Sequence, residues 1–123
     1  MNHPGAVMVV DDDTDIRETI AILLAAEGYA TLEAGSGMEA LALLHEGRDV
    51  AVILVDLRMP DMTGTELVGQ LKEDPSLAAI PIVVMSGDNA ACSIARDIGA
   101  DECLVKPIEL PVLLATADRY VHR

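Results

Sequence analysis

The sequence is poor in aromatic residues, with two tyrosines and neither tryptophan nor phenylalanine among its 123 residues. Its core must therefore be aliphatic, and the 51% hydrophobic content is enough to build one. Basic residues are also scarce, because 8 lysines and arginines stand against 21 acidic residues, for a net charge of −13. This charge opposes direct nucleic-acid binding, since nothing offsets the repulsion of the phosphates. It favours cations and basic protein partners instead.

Cysteine and histidine are too few and too scattered to form a common metal site. Cys92 and Cys103 lack zinc-ligand spacing, and the three histidines lie far apart. We expect both thiols to stay reduced and to act as small apolar side chains. No apolar run is long enough to cross a membrane, and the first residues do not resemble a signal peptide. The expectation is a soluble, cytoplasmic protein without membrane contact.

Short apolar runs alternate with helical patterns along the whole chain. The run at 50–55 has no polar residue and is rich in β-branched side chains, which is typical of a strand buried on both faces of a parallel sheet. The predicted strands are 6–10, 29–34, 50–55, 80–85 and 103–105. The alternation predicts an α/β fold with five parallel strands, five helices on both faces of the sheet and right-handed crossovers.

Capping residues and glycines predict where the helices begin and end. Three residue pairs have the spacing of a capping box, namely Asp15 with Glu18, Ser36 with Glu39, and Thr63 with Glu66. Gly28, Gly47 and Gly99 follow helical patterns and are expected to end them. Pro60 is expected to turn the chain between the third strand and the third helix.

Polar side chains stand where the predicted strands end. Asp11 and Asp12 follow the first strand, Asp56 the third, Ser86 the fourth and Lys106 the fifth. Parallel strands place their carboxyl ends at one edge of the sheet, where ligands bind in open α/β folds. Clustered carboxylates raise one another's pKa unless a cation intervenes, and Mg²⁺ suits oxygen ligands. The set fits phosphoryl transfer, with Asp56 as the attacking carboxylate.

Four motifs at these strand ends resemble those of the response-regulator receiver domain of bacterial two-component signalling. They are VVDDD at 9–13, LVDLRMPDMTG at 54–64, VVMSGD at 83–88 and LVKP at 104–107. Each motif alone is weak, but four in this order are specific, and the likeness covers about residues 5–122. It implies a flavodoxin-like receiver fold with strand order 2-1-3-4-5. It also implies a single receiver domain over residues 1–123.

The resemblance implies roles at the phosphoryl site. Asp56 matches the aspartate that is phosphorylated by a phosphohistidine of a sensor histidine kinase or phosphotransfer protein. Ser86 and Lys106 match the residues that contact the phosphoryl group, and Lys106–Pro107 matches a cis peptide. We therefore expect no enzyme acting on a separate substrate, but a phosphoacceptor that catalyses its own phosphoryl transfer and dephosphorylation.

The resemblance also implies a Mg²⁺ site. Asp12 and Asp56 match direct ligands, the backbone carbonyl of Arg58 matches the third protein ligand, and Asp11 matches a residue that acts largely through water.

Arg58 and Asp88 are further expected to form an ion pair that partly covers the phosphorylated site. Such an exposed pair contributes only about 0–1 kcal/mol, so its effect on dephosphorylation is expected to be modest.

The sequence departs from the family at two positions linked to signal output. Cys103 stands where Tyr or Phe is frequent, three residues before the lysine, and Ile108 replaces a frequent aromatic residue. A thiol fills far less volume than a ring, so we expect the loop 86–90 and the fourth helix to carry the conformational change. The expected partner surface is the fourth helix, fifth strand and fifth helix, for a downstream protein or a second copy of the chain.

Other interpretations remain open. The acidic run 11–15 is also typical of a helix N-terminus, and Asp13 in particular is expected to cap the first helix. A haloacid-dehalogenase-like phosphatase also starts with a strand ending in Asp-x-Asp, but this chain is short for that class and lacks a second carboxylate pair. A receiver-like interaction module would bind partners without phosphorylation. The chain also fits the receiver part of a longer regulator or hybrid kinase.

Overall fold

The computed structural model describes residues 5–59 and 62–122. Pro60 of the predicted turn and both ends of the predicted 1–123 domain lie outside the described residues. The strands are β1 (Ala6–Val10), β2 (Thr31–Ala34), β3 (Val50–Asp56), β4 (Ile82–Ser86) and β5 (Glu102–Val105). The helices are α1 (Thr14–Ala26), α2 (Gly37–His45), α3 (Gly64–Glu73), α4 (Asn89–Asp97) and α5 (Leu110–Val121).

The sheet has the order β2-β1-β3-β4-β5, and every neighbouring pair of strands is parallel. The register places Val10 beside Val55, Asp56 beside Met85, and Ser86 beside Val105. The carboxyl ends of β1, β3, β4 and β5 therefore lie side by side. Both the α/β fold and the predicted strand order are confirmed.

The strands bury side chains on both faces of the sheet, as the continuous apolar runs indicated. On one face, Met8, Ile53 and Val84 pack with apolar residues of α2, α3 and α4. On the other face, Val9 and Leu54 pack with apolar residues of α1 and α5. Both cores are aliphatic, with the two tyrosines packed only at the margin of the second. Since burial contributes about 25 cal/mol per Å² of apolar surface, these two layers hold the strand ends in place.

The helix ends agree with the predicted caps in all but one case. Ser36 and Thr63 accept hydrogen bonds from the backbone N–H groups of Glu39 and Glu66. The first helix is capped by Asp13, which accepts from the N–H of Ile16 at 3.2 Å, so the Asp15–Glu18 box was wrong. Asp13 therefore has the capping role that was expected for it.

The starts of β2, β4 and β5 differ from the prediction, and β3 and β4 each end one residue later than predicted, at Asp56 and Ser86. Tyr29 lies before β2, because its N–H donates to the carbonyl of Leu24 and completes the end of α1. β4 begins after Pro81, which has no N–H to donate to a ladder. β5 begins one residue early, at Glu102. Gly28, Gly47 and Gly99 have positive φ angles and follow helices, as predicted.

A disulfide joins Cys92 of α4 to Cys103 of β5. The expectation of two separate reduced thiols was therefore wrong. The two residues are 11 apart in sequence, and they meet because α4 packs against the face of the sheet to which Cys103 points.

Two further features bear on the predictions. The Lys106–Pro107 peptide is cis, as the resemblance implied. Within the described ranges, no helix combines the length and the apolar character that a membrane crossing requires.

Candidate functional site

Three carboxylates meet at the carboxyl edge of the sheet. Asp11 follows β1 directly, Asp12 comes next, and Asp56 is the last residue of β3. One oxygen from each residue lies within 4.8 Å of the others. Asp11 is fully buried and Asp56 is 7% exposed, whereas Asp12 is open to solvent. The predicted acidic cluster is therefore present, and it could hold a metal ion.

The buried Asp11 carboxylate is only half satisfied. Its Oδ1 accepts a hydrogen bond from the N–H of Asp13 at 2.9 Å, but its Oδ2 is buried without a partner among the described residues. Burial raises the pKa of Asp11, and the neighbouring charges of Asp56 and Asp12 raise it further. An orphaned oxygen beside two other carboxylates fits a cation, which would supply the missing partner.

Asp56 faces positive groups on its other side. Its Oδ1 accepts from the backbone N–H of Arg58 at 3.1 Å and lies 3.4 Å from Nζ of Lys106. The Asp56 side chain is 10% exposed and that of Lys106 is 34% exposed. These contacts fix one carboxylate oxygen and leave Oδ2 without a hydrogen bond from any described residue. Lys106 is thus placed to balance negative charge arriving beside Asp56.

Ser86 lies next to Asp56 at the end of β4. It is 7% exposed, and its Oγ accepts from the N–H of Asp88 at 3.0 Å. A pocket of about 290 Å³ opens between these strand ends. Its lining comprises Asp56, Arg58, Ser86, Gly87, Asp88 and Lys106. The predicted acceptor, hydroxyl and lysine therefore share one small polar cavity.

The expected Arg58–Asp88 ion pair is not among the ion pairs of the described residues. Both residues line the pocket, but the Asp88 side chain is engaged as the N-cap of α4, where it accepts from the N–H of Ala90 at 2.9 Å. The prediction of a covering ion pair was therefore wrong in this structure. The competing interaction is a helix cap, which satisfies a backbone donor that would otherwise lack a partner.

Gly64 allows the start of α3 to lie directly behind Asp56. A Cβ atom there would come within 2.7 Å of the Asp56 carbonyl oxygen and of the Leu57 Cα. The Gly64 N–H also donates to the carbonyl of Leu57 at 3.2 Å. Nothing in the sequence indicated that the backbone after Asp56 needs this close approach.

Arg17 supports the site from outside and was missed by the sequence reasoning. Its guanidinium donates to the backbone carbonyl of Asp11 at 2.9 Å and pairs with Glu33 of β2 at 3.2 Å. The contact links α1, β2 and the end of β1. The position of Arg17 in the first turns of α1 could have suggested a role near the acidic residues. Its ion pair with Glu33 could not be predicted in the same way, because it depends on the order of the strands.

Known proteins resemble this chain in sequence and in structure. Residues 7–118 match the family model described as the response regulator receiver domain. The two-component response regulator ORR11 of Oryza sativa is 39% identical over 107 residues, which are 85% of this chain and 73% of that protein. Two solved structures with similar folds each share more than a quarter of their aligned residues with this chain.

The chemotaxis protein CheY4 of Vibrio cholerae superposes with a TM-score of 0.87 and 32% identity, over 96% of this chain and 99% of that one. The signal receiver domain of a signal transduction histidine kinase from Syntrophus aciditrophicus gives a TM-score of 0.87 and 29% identity, over 96% of this chain and 90% of that one. The similarity therefore extends over nearly the whole chain.

Proposed function

Because this chain belongs to the response regulator receiver domain family of two-component systems, we propose that it accepts a phosphoryl group on Asp56. The observation that carries the proposal is the position of the Asp56 carboxylate. It lies between the acidic pair and Lys106, at the wall of a cavity of about 290 Å³ that also contains the Ser86 side chain. The proposed donor is a phosphohistidine of a sensor histidine kinase or a phosphotransfer protein.

The proposed reaction uses the free oxygen of Asp56. Asp56 Oδ2 attacks the phosphorus of the phosphohistidine, a new O–P bond forms, and the P–N bond breaks to release the histidine. Lys106 balances the charge of the phosphoryl oxygens, and the Ser86 hydroxyl donates to one of them after turning from its present contacts with Asp88. Catalysis of this kind depends on positioning and charge, and it needs no further covalent step from the protein.

Mg²⁺ is the proposed cofactor. Asp12, Asp56 and the Arg58 carbonyl would hold it, and Asp11 would contact it largely through water. When bound, the ion neutralises the carboxylates and the phosphoryl oxygens. The unpartnered, buried Oδ2 of Asp11 supports this assignment, because few other groups could satisfy it.

The proposed output surface is formed by α4, β5 and α5. Ile94 of α4 is 54% exposed and Val105 of β5 is 49% exposed, so apolar side chains are available there for a downstream protein or a second copy of the chain. We propose that the domain works in the cytoplasm as a phosphoacceptor that catalyses its own transfer and dephosphorylation, not as an enzyme acting on a separate substrate.

Intact mass after incubation with acetyl phosphate and Mg²⁺ tests the proposal. The chain should gain one phosphoryl group, and a metal chelator should prevent the gain. Asp56→Asn should keep the fold and lose the gain, because an amide oxygen is a poor nucleophile for phosphorus. Asp97→Asn, at an exposed site of α4, is the matched control and should label like the parent chain. Undiminished labelling of Asp56→Asn would overturn the assignment and favour a non-phosphorylated interaction module.

A further inference from the structure

A pair of cysteines connects the helix that follows Ser86 to the strand that precedes Lys106. Cys92 lies in α4, six residues after Ser86, and Cys103 lies in β5, three residues before Lys106. Their Cα atoms are 5.6 Å apart, within the usual range for a disulfide, and their sulfur atoms are bonded. The disulfide therefore joins α4, which leads away from the pocket after Ser86, to β5, which leads into the pocket before Lys106.

The two sulfur atoms differ in their access to solvent. Cys92 is 5% exposed, whereas Cys103 is half-buried on β5, which is an edge strand of the sheet. Cys103 lies beside Val84 in the register, and both side chains pack into the core beneath α4. A small reagent in solution therefore reaches Cys103 first, and Cys92 is in place to react second.

The disulfide restricts the helix that begins just after the loop from Ser86. α4 begins at the cap formed by Asp88, whose N–H also donates to Ser86 Oγ. A movement of Ser86 toward a phosphoryl group breaks that hydrogen bond and releases the loop before α4. With Cys92 bonded to Cys103, the first turns of α4 stay against β5 even when the loop is released.

We propose that Cys92 and Cys103 are a reversible redox pair, and that the disulfide holds α4 against β5 so that oxidation uncouples phosphorylation of Asp56 from the surface of α4. The uncoupling rests on the proposed phosphoacceptor function, whereas the redox pair does not. Reduced protein transmits the phosphorylated state to α4, and oxidised protein accepts the phosphoryl group without moving that helix.

The oxidant in this proposal is a low-molecular-weight disulfide, and the step is thiol–disulfide exchange. The Cys103 thiolate attacks one sulfur of the small disulfide, whose S–S bond breaks to release one small thiolate. The Cys92 thiolate then attacks the Cys103 sulfur of the mixed disulfide and releases the second small thiolate. The two protein thiols thus lose two electrons and two protons, and the small disulfide becomes two thiols. An excess of small thiol reverses both steps.

Intact mass in buffers with stepped ratios of reduced to oxidised glutathione tests the redox pair. The chain should lose the mass of two hydrogen atoms as the buffer becomes oxidising, and regain it when reductant is added. Cys92→Ala should instead stop at a mixed disulfide on Cys103, because the second thiol is missing. If the parent chain never loses two hydrogen atoms, or never regains them, the proposal is overturned.

Amide hydrogen exchange with and without beryllofluoride, a mimic of the phosphoryl group, tests the uncoupling. In the reduced protein the mimic should change exchange in residues 87–98, and in the oxidised protein that change should be several-fold smaller. The double variant Cys92→Ala/Cys103→Ala should behave like reduced protein in both buffers. Equal changes in both forms of the parent chain would overturn the uncoupling.

Phosphoryl mass gain, measured in both redox forms, separates this inference from the proposed function. Equal gain in both forms, combined with a smaller exchange change after oxidation, supports the uncoupling. If neither redox form gains the mass of a phosphoryl group, the proposed function and the uncoupling are overturned together. The reversible loss of two hydrogen atoms would still support the redox pair in that case.

Discussion

Acidic side chains lie at both edges of the sheet, and their surroundings differ. At the amino edge, Asp101 accepts a hydrogen bond from the N–H of Ile82 at 2.8 Å, and Asp74 accepts from Ser76 and His45. At the carboxyl edge, Asp11 is fully buried with one oxygen that has no partner. The pKa of Asp74 is lowered to about 2, whereas that of Asp11 is raised.

The contrast separates carboxylates whose hydrogen bonds stabilise the fold from carboxylates that could hold a metal ion. Asp74 and Asp101 complete the hydrogen bonding of the loops before β4 and β5. Asp11 and its neighbours repel one another, so the free protein bears a cost at this edge that a bound cation would remove. The carboxylates that stabilise the fold and those of the proposed site therefore lie at opposite edges of one sheet.

The largest effects are expected from two variants, Asp11→Asn at the carboxyl edge and Asp101→Ala at the amino edge. Asp11→Asn removes a buried, poorly satisfied charge, so the free energy of unfolding without metal should rise by roughly 1–3 kcal/mol. The same change should weaken Mg²⁺ binding by at least about tenfold. Urea unfolding and calorimetric titration measure the two effects.

Asp101→Ala, at the amino edge, should lower the stability of the fold instead of raising it. It leaves the partly buried N–H of Ile82 without its side-chain acceptor, so the free energy of unfolding should fall by about 1–2 kcal/mol, with Mg²⁺ affinity unchanged. If both variants destabilise the metal-free protein alike, the two edges do not differ as described.

A comparable effect on stability is expected from the close approach of the backbone behind Asp56. Gly64→Ala places a Cβ against the backbone of Asp56 and Leu57, which should lower the free energy of unfolding by roughly 1–3 kcal/mol and displace the Asp56 carboxylate. Gly69→Ala, in the same helix with open space around it, should instead gain about 0.5–1 kcal/mol. Thermal unfolding compares the two variants, and equal effects would show that the approach is not needed.

The smallest effect is expected from Asp74, which is partly exposed. Hydrogen bonds from Ser76 and then His45 lower its pKa from 3.8 to about 2. A lowered carboxyl pKa stabilises the fold above the unfolded value and loses that contribution as the pH falls from about 4 toward 2. Carbon NMR of the Asp74 carboxyl group should show this titration. In Ser76→Ala the midpoint should move up toward 3.8; a parent midpoint already at 3.8 would contradict the assignment.

Much of the fold could be predicted because the strands are continuous apolar runs. β1 was predicted at its observed bounds, and the run before Asp56 identified the central strand. Once the order of parallel strands was inferred, the meeting of Asp11, Asp56 and Lys106 followed from the topology alone. The residues singled out at the strand ends therefore do lie together in the structure, while the roles that the resemblance implies for them stay predictions.

The features that were missed depend on packing or on competition between similar residues. Asp13 and Asp15 both offered a cap for α1, and the Asp15–Glu18 box was wrong because the backbone geometry makes Asp13 the cap. Asp88 could pair with Arg58 or cap α4, and the local cap is the interaction that forms. The disulfide requires α4 to lie on the face of β5 that presents Cys103, which no spacing in the sequence reveals.

The scarcity of aromatic rings also has a spectroscopic consequence. Tyr29 donates to Asp118 of α5 at 3.2 Å, and Tyr120, itself in α5, donates to Glu102 of β5. With no tryptophan in the chain, its ultraviolet emission comes from these two rings. Because both rings make hydrogen bonds that link α5 to the rest of the domain, the tyrosine fluorescence reports how α5 packs on the sheet. A tryptophan introduced near Asp56 would consequently give a second signal, distinct in wavelength, for events at the acceptor.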